Sequence, residues 1–253
     1  MMRGLRALWR LGRAVVHGLH GLWVVLVLFR GLDRAGRRQR VQWWSAKMLA
    51  VLGLRLRSQG TFKPGAKLLV ANHVSWIDIL VVHALCPEAR FVSKAEVRHW
   101  PLVGRLVDAA ETLYIERARK RDAMRVVHQS AEALQQGDTV AIFPEGTTGP
   151  ADRLLPFHAN LLQAAIATGT AVQPLALRYA DRHLPISPSA LWVGETTLAQ
   201  TLWLLASADG LVAQLQVLSP RATAHADRRS LAETLRMDIE SALADIDRQH
   251  RPT

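Results

Sequence analysis

The chain has almost no cysteine and, over its first quarter, almost no acid. Cys86 is the only cysteine among 253 residues. That excludes an intramolecular disulfide and any multi-cysteine metal or cluster site, and it fits a reducing compartment. Residues 1–60 contain one acidic residue, Asp33, against 12 lysines and arginines. The other 193 residues hold 20 basic and 20 acidic side chains, so the whole formal charge of +11 belongs to the N-terminal segment. The sequence also lacks an internal repeat, a low-complexity tract and a second domain boundary. It has no Gly-x-Ser-x-Gly elbow and no phosphate-cradling glycine loop, which leaves serine-nucleophile and nucleotide-hydrolysing chemistry without support. His83, His99, His128 and His158 show no metal-ligand spacing. With 49% apolar residues the chain can fill a core, so a disordered or collagen-like chain is excluded.

What is present divides into a basic appendage, residues 1–58, and a charge-neutral body, residues 59–253. Arg3, Arg6, Arg10 and Arg13 fall on one helical stripe, with Leu5, Leu8 and Trp9 on another arc. Ala14–Phe29 is nearly all apolar, but its sixteen residues fall short of the roughly 20 that cross a bilayer. A second apolar stretch, Val41–Leu56, follows the cluster Arg30, Arg34, Arg37, Arg38 and Arg40. A cleavable signal peptide is disfavoured, since Arg30-Gly31-Leu32-Asp33 stands where small residues should. Arginines on both flanks give a spanning helix no orientation bias. A helical hairpin dipped into one leaflet fits better, with arginines for anionic headgroups and tryptophans at the interface. The alternatives are a buried hairpin in a soluble protein and a nucleic-acid-binding arm. The arginines flank apolar runs rather than base-reading positions, so no nucleic-acid partner is expected.

In the body, short apolar runs alternate with helical patterns. Strands are predicted at Leu68–Ala71, Phe91–Ser93, Leu113–Ile115, Thr139–Phe143, Ala171–Leu177 and Leu211–Leu218. Helices are predicted at Trp76–Leu85, Arg119–Gln136, His158–Thr168 and Asp227–Ile246. This alternation predicts an α/β fold, a mixed and largely parallel sheet flanked by helices.

Three segments follow strands, at the end where α/β sheets place ligands. In Asn72-His73-Val74-Ser75-Trp76-Ile77-Asp78, Ser75 and Asp78 have capping-box spacing, so a helix is expected to start at Trp76. Across that loop-to-helix junction the Asp78 carboxylate can turn back to the His73 imidazole. Such a pair is a general base: the acid fixes the tautomer and the other ring nitrogen takes a hydroxyl proton. The bland reading is a capping aspartate beside a packed histidine, and the spacing alone does not separate the two. Phe143-Pro144-Glu145-Gly146-Thr147 offers a carboxylate that could orient a substrate hydroxyl, or a solvated turn acid. Lys94 and Arg117 each follow a strand, as ligands for a phosphate or as surface cations. Cys86 reads as core.

Taken in order, these segments resemble the phospholipid/glycerol acyltransferase family, most closely its bacterial lysophosphatidic acid acyltransferase branch. The resemblance covers roughly residues 45–220. Asn72-His73-x-Ser75-x-x-Asp78 is similar to the family's first motif, its catalytic His/Asp pair. Lys94, Gly104 and Arg117 stand where the second motif binds the acceptor's phosphate, and Phe143 to Thr147 match the third, tied to acceptor binding. Val172-Gln173-Pro174-Leu175-Ala176-Leu177 resembles the fourth. The resemblance implies acyl transfer from acyl-CoA or acyl carrier protein, as co-substrate, to the free hydroxyl of a lyso-lipid. The acceptor implied is 1-acyl-sn-glycerol-3-phosphate, giving phosphatidic acid. His73 and Asp78 would be catalytic, with Asn72, Ser75, Lys94, Arg117, Phe143, Pro144, Glu145, Gly146 and Thr147 around the substrate. Oxyanion donors are expected among backbone N–H groups near Trp76. No metal or cofactor is required. Membrane lipid is the expected partner and the cytoplasmic face of a bacterial inner membrane the expected location. One departure stands out: the family commonly has arginine after Phe-Pro-Glu-Gly-Thr, whereas here Thr148-Gly149-Pro150 follow. That keeps open a lyso-ornithine lipid as acceptor, and, from another class, a non-catalytic lipid-binding module.

Overall fold

The strands are β1 (Arg55–Gln59), β2 (Lys67–Ala71), β3 (Ala89–Lys94), β4 (Leu113–Ile115), β5 (Thr139–Ile142), β6 (Val172–Ala180) and β7 (Val212–Val217). The computed structural model describes residues 2–115 and 120–250. The strands form one seven-stranded sheet in the order β1-β7-β6-β2-β5-β3-β4. Every neighbouring pair is parallel except β6 with β7. The mixed, largely parallel sheet predicted from the sequence is thus present. β2, β5 and β6 are buried at every position, as strands covered on both faces are. Their side chains alternate between two cores. Leu69, Ala71, Leu175 and Leu177 face one, and Leu68, Val70, Val172 and Ala176 face the other. β1 is an exposed edge with Arg55 and Arg57 on it, which opposes edge-to-edge pairing.

The helices are α1 (Met2–Trp23), α2 (Arg34–Leu52), α3 (Asp78–Leu85), α4 (Val103–Ala109), α5 (Lys120–Gln135), α6 (Gln163–Thr168), α7 (Leu198–Ser207) and α8 (Arg228–Gln249). α8 starts on the Asp227 side chain, which accepts from the amides of Arg229 and Ser230. It buries Leu231, Leu235, Ile239, Ala242 and Ile246, one stripe of an amphipathic helix. α6 is shorter than predicted because Ala159–Leu162 is a 3-10 turn. β1, α4 and α7 were not predicted at all. β1 also carries the sheet into residues 55–58, which the sequence reading placed in the appendage.

α1 continues as a π-helical turn, Val24–Leu28. Arg3–Leu28 therefore forms 26 continuous helical residues, long and apolar enough by composition to cross a membrane. The sixteen-residue limit read from the sequence underestimates it. α1 and α2 do form a hairpin, locked where Trp44 Nε1 donates to the His17 carbonyl and His17 Nε2 meets the Trp44 carbonyl, each at 3.0 Å. Gly21 is required there, because a Cβ would strike the Trp44 indole. α2 lies on α3, and α1 lies on α7. Three of the four arginines of the stripe are not free for headgroups as predicted, while Arg13 is exposed. Arg3 donates to the Ser207 carbonyl, Arg6 to Ser207 and Asp209, and Arg10 to the carbonyls of Ala206 and Ala208. Arg34 is paired with Asp138 at 2.7 Å and Glu111 at 2.9 Å.

Candidate active site

Because β2, β3, β4 and β5 run parallel, the segments that follow them emerge along one edge of the sheet. Asn72 is the first residue past β2. Its amide continues the ladder with a side chain, donating to the Leu177 carbonyl at 2.9 Å and accepting from the Leu177 N–H at 2.8 Å. The chain then turns sharply into α3, which starts at Asp78 rather than Trp76. Half of the expected capping box forms: the Ser75 N–H donates to Asp78 Oδ2 at 2.9 Å, while Ser75 Oγ is buried without a hydrogen-bond partner among the described residues.

His73 Nδ1 lies 2.8 Å from Asp78 Oδ2. The same oxygen accepts the Val74 N–H at 2.7 Å, and Asp78 Oδ1 accepts the Tyr179 hydroxyl at 2.6 Å. Asp78 is completely buried, whereas the His73 side chain keeps 19% of its surface exposed. Burial, reinforced by the Asp78 charge, pushes the Tyr179 phenol well above its ordinary value, so it stays a donor. Sequence reasoning missed Tyr179, which is 101 residues from Asp78 and belongs to none of the quoted motifs. The amides of Val74 and Ser75, two of those near the helix start, are committed to Asp78.

The segment after β5 wraps His73. The Phe143 ring stacks on the imidazole with centroids 4.0 Å apart and planes 9° from parallel. Phe91 stacks on Phe143 in turn at 5.4 Å. Pro144 accepts the His158 N–H, and Gly146 turns the chain with φ 71°. Glu145 is buried, and both its oxygens are occupied: Oε1 by the His73 N–H at 2.8 Å and Oε2 by the Leu155 N–H at 2.9 Å. Burial pushes its carboxyl up, against the pull of those two amides. The expected carboxylate aimed at a substrate hydroxyl is therefore a carboxylate that holds backbone. Gly149 completes the wrap by donating its N–H to the His73 carbonyl at 2.7 Å. The Thr148 hydroxyl, where the family commonly has a guanidinium, donates to the Trp192 carbonyl. The Trp192 N–H in turn donates to Val74.

Thr147 is exposed, and Lys94 is exposed at the end of β3. Arg117 lies outside the described residues. A cavity of about 410 Å³ beside β1, lined by Arg55, Arg57, Gln214 and His250 among others, includes none of these groups. Cys86 is buried as predicted, and burial pushes its thiol up.

An imidazole held by a buried carboxylate at the carboxyl edge of such a sheet, with no hydrogen-bond partner for Nε2 among the described residues, is an arrangement suited to accepting a proton. The Acyltransferase family profile matches residues 55–178. The lyso-ornithine lipid O-acyltransferase of Pseudomonas aeruginosa is 38% identical over 214 residues, 84% of this chain and 82% of that protein. The 1-acyl-sn-glycerol-3-phosphate acyltransferase of Neisseria gonorrhoeae is 34% identical over 197 residues, 77% of this chain and 76% of that one. The crystal structure of a 1-acyl-sn-glycerophosphate acyltransferase from Thermotoga maritima shares the fold, with TM-score 0.74 and 20% identity over 99% of this chain and 98% of that one. The chain belongs to the acyltransferase family.

Proposed function

We propose that the protein transfers a fatty acyl group from a thioester, acyl-CoA or acyl carrier protein, to the free hydroxyl of a lyso-lipid. The observation that carries this is the 2.8 Å contact of His73 Nδ1 with a buried Asp78, which leaves Nε2 to take a proton. His73 removes the hydroxyl proton as the oxygen attacks the thioester carbonyl. The tetrahedral intermediate collapses, the C–S bond breaks, and the departing thiolate takes the proton back from His73. Asp78 orients the ring and stabilises the imidazolium that forms.

The acceptor put first is 1-acyl-sn-glycerol-3-phosphate, with phosphatidic acid as product. Lys94, exposed as the last residue of β3 on the catalytic edge, supports it as a cation for the phosphate. The name of the Neisseria relative points the same way. Thr148 favours lyso-ornithine lipid as the second reading, since a hydroxyl tied to Trp192 replaces a guanidinium. The name of the Pseudomonas relative agrees.

Docking on the cytoplasmic face of a bacterial inner membrane completes the proposal. Leu5, Leu8, Trp9, Val15, Val16, Leu19, Trp23 and Val27 form an exposed apolar stripe along the N-terminal helix, each more than half exposed. Such a stripe suits a helix lying in the interface. The test measures thiol release from acyl-CoA with each lyso-lipid in turn. Activity that requires a lyso-lipid and is lost in His73→Ala supports the reading, and wild-type turnover in His73→Ala ends it. Use of lyso-ornithine lipid with neglect of the phosphate acceptor would reverse the ranking.

A further inference from the structure

We propose that Tyr179 is a positioning residue of the reaction, acting through Asp78 on His73; the inference rests on the general-base reading above. Asp78 is fully buried, with no surface open to bulk solvent. Oδ2 is saturated by His73 Nδ1 and the amides of Val74 and Ser75. For Oδ1 the Tyr179 hydroxyl, at 2.6 Å, is the hydrogen-bond partner among the described residues. A tyrosine hydroxyl has one proton to give, and this one gives it to Asp78.

The phenol is itself rigidly placed. Tyr179 is 2% exposed and sits on β6, paired with Ala213 of β7, and its carbonyl accepts the Ser187 N–H at 2.8 Å. Asn72 ties β6 to the start of the His73 loop two residues earlier, at Leu177. β6 therefore fixes both ends of the turn that carries His73: its start through Asn72 and its end through Asp78. Without the hydroxyl, Oδ1 is a buried acceptor with no donor among the described residues. The carboxylate then gains by rotating, and that change loosens its hold on the imidazole tautomer.

Tyr179→Phe removes one oxygen and keeps the ring that fills the core. A hydrogen bond to a charged group of this kind corresponds to roughly a tenfold to hundredfold effect. The expected result is a fall of that size in kcat, with the KM values for donor and acceptor within about twofold of wild type. In an Asp78→Asn background, assayed with excess enzyme, the same substitution should cost less than about twofold, because the carboxylate it serves is gone. A purely packing role predicts the same loss in both backgrounds, and that result would overturn the proposal. So would a Tyr179→Phe enzyme with wild-type kcat while His73→Ala is inactive, an outcome that leaves the acyl-transfer reading standing. If His73→Ala is fully active, the acyl-transfer reading itself is what fails.

A spectroscopic test keeps Tyr179 in place, should Tyr179→Phe not fold. The chain has two tyrosines, Tyr114 and Tyr179. Protein labelled with 3-fluorotyrosine gives two ¹⁹F resonances, assigned with Tyr114→Phe. Asp78→Asn should move the Tyr179 resonance and leave that of Tyr114. A Tyr179 resonance unmoved by Asp78→Asn would refute the contact.

Discussion

Replacing Glu145 by glutamine isolates the task the structure gives this carboxylate. Its oxygens accept the N–H groups of His73 and Leu155 at 2.8 and 2.9 Å, and the side chain is buried. Glutamine has the same shape but one acceptor. Its NH₂ must face one of the two backbone N–H groups, donor against donor. Leaving one buried donor unsatisfied costs about 1–3 kcal/mol of stability. The effect on rate follows from which residue is anchored. His73 is held by Glu145 at its N–H, by Gly149 at its carbonyl and by Phe143 on its ring. A shift of about 1 Å in a reacting group costs about a hundredfold. Glu145→Gln should therefore lose between about tenfold and a hundredfold in kcat, keep its acceptor KM within about twofold, and unfold at lower denaturant. Steady-state kinetics over an acceptor series, with urea unfolding of both proteins, reads all three. An acceptor KM raised tenfold or more at unchanged kcat would refute the argument and return Glu145 to a substrate-binding role.

The neighbouring loop makes a related prediction. A Cβ on Gly149 would sit 2.9 Å from Glu145 Oε2, so Gly149→Ala should reproduce the kcat loss in milder form, while an unchanged kcat would show that the loop yields freely. The imidazole of His83 is fully buried, and burial, opposed by its bond to the Ala89 carbonyl, lowers its pKa from 6.5 to about 4. A depressed histidine pKa gives stability that is present above pH 6.5 and lost as pH falls toward 4, on the order of 3 kcal/mol. Denaturation at pH 7 and pH 4 should show that loss in wild type and a flatter profile in His83→Gln; parallel profiles would be inconsistent with it. Leu8 and Val16 are exposed on the N-terminal helix, and burying each in lipid contributes roughly 1.5–3 kcal/mol. Leu8→Glu with Val16→Glu should reduce liposome co-sedimentation more than tenfold and leave the unfolding midpoint unchanged. Undiminished sedimentation would place the membrane contact elsewhere.

The parts of the site legible in the sequence are those carried by one short segment. His73 and Asp78 lie five residues apart, and the turn between them needs only local chemistry. The central strands are legible because β2, β5 and β6 are built mostly of apolar residues. Other features depend on contacts distant in sequence. Nothing in Arg178-Tyr179-Ala180 indicates that the hydroxyl reaches a residue 101 positions earlier. In sequence Glu145 reads equally as a carboxylate for a substrate hydroxyl or as a turn acid, because its two amide partners, at 73 and 155, are brought to it only by the fold. β1 was missed for a local reason: as an edge strand with arginines at alternate positions, it has little apolar pattern to read. α7 does carry a local signal. Thr197 and Gln200 form a complete capping box ahead of an apolar run.

The N-terminal arginines change what the charge count means. Twelve basic residues against one acid suggested a surface held to lipid by charge. Yet Arg3, Arg6 and Arg10 converge on the carbonyls of Ala206, Ser207 and Ala208, at the last turn and end of α7, and on Asp209. A helix C-terminus carries partial negative charge, so these arginines act as clamps. They fix α1 at one end, and Trp44 with Gly21 fixes it against α2 near the other. The helix is long enough to cross a bilayer, but held along α7 and α2 it cannot stand upright without tilting the sheet with it. Its outward stripe, from Leu5 to Val27, extends about 33 Å at 1.5 Å per residue. That is the apolar face proposed to lie along the membrane surface. The same α2 packs against α3, the helix that begins at Asp78. The element proposed to meet the lipid is thus only two helix contacts away from the one that holds the proposed base.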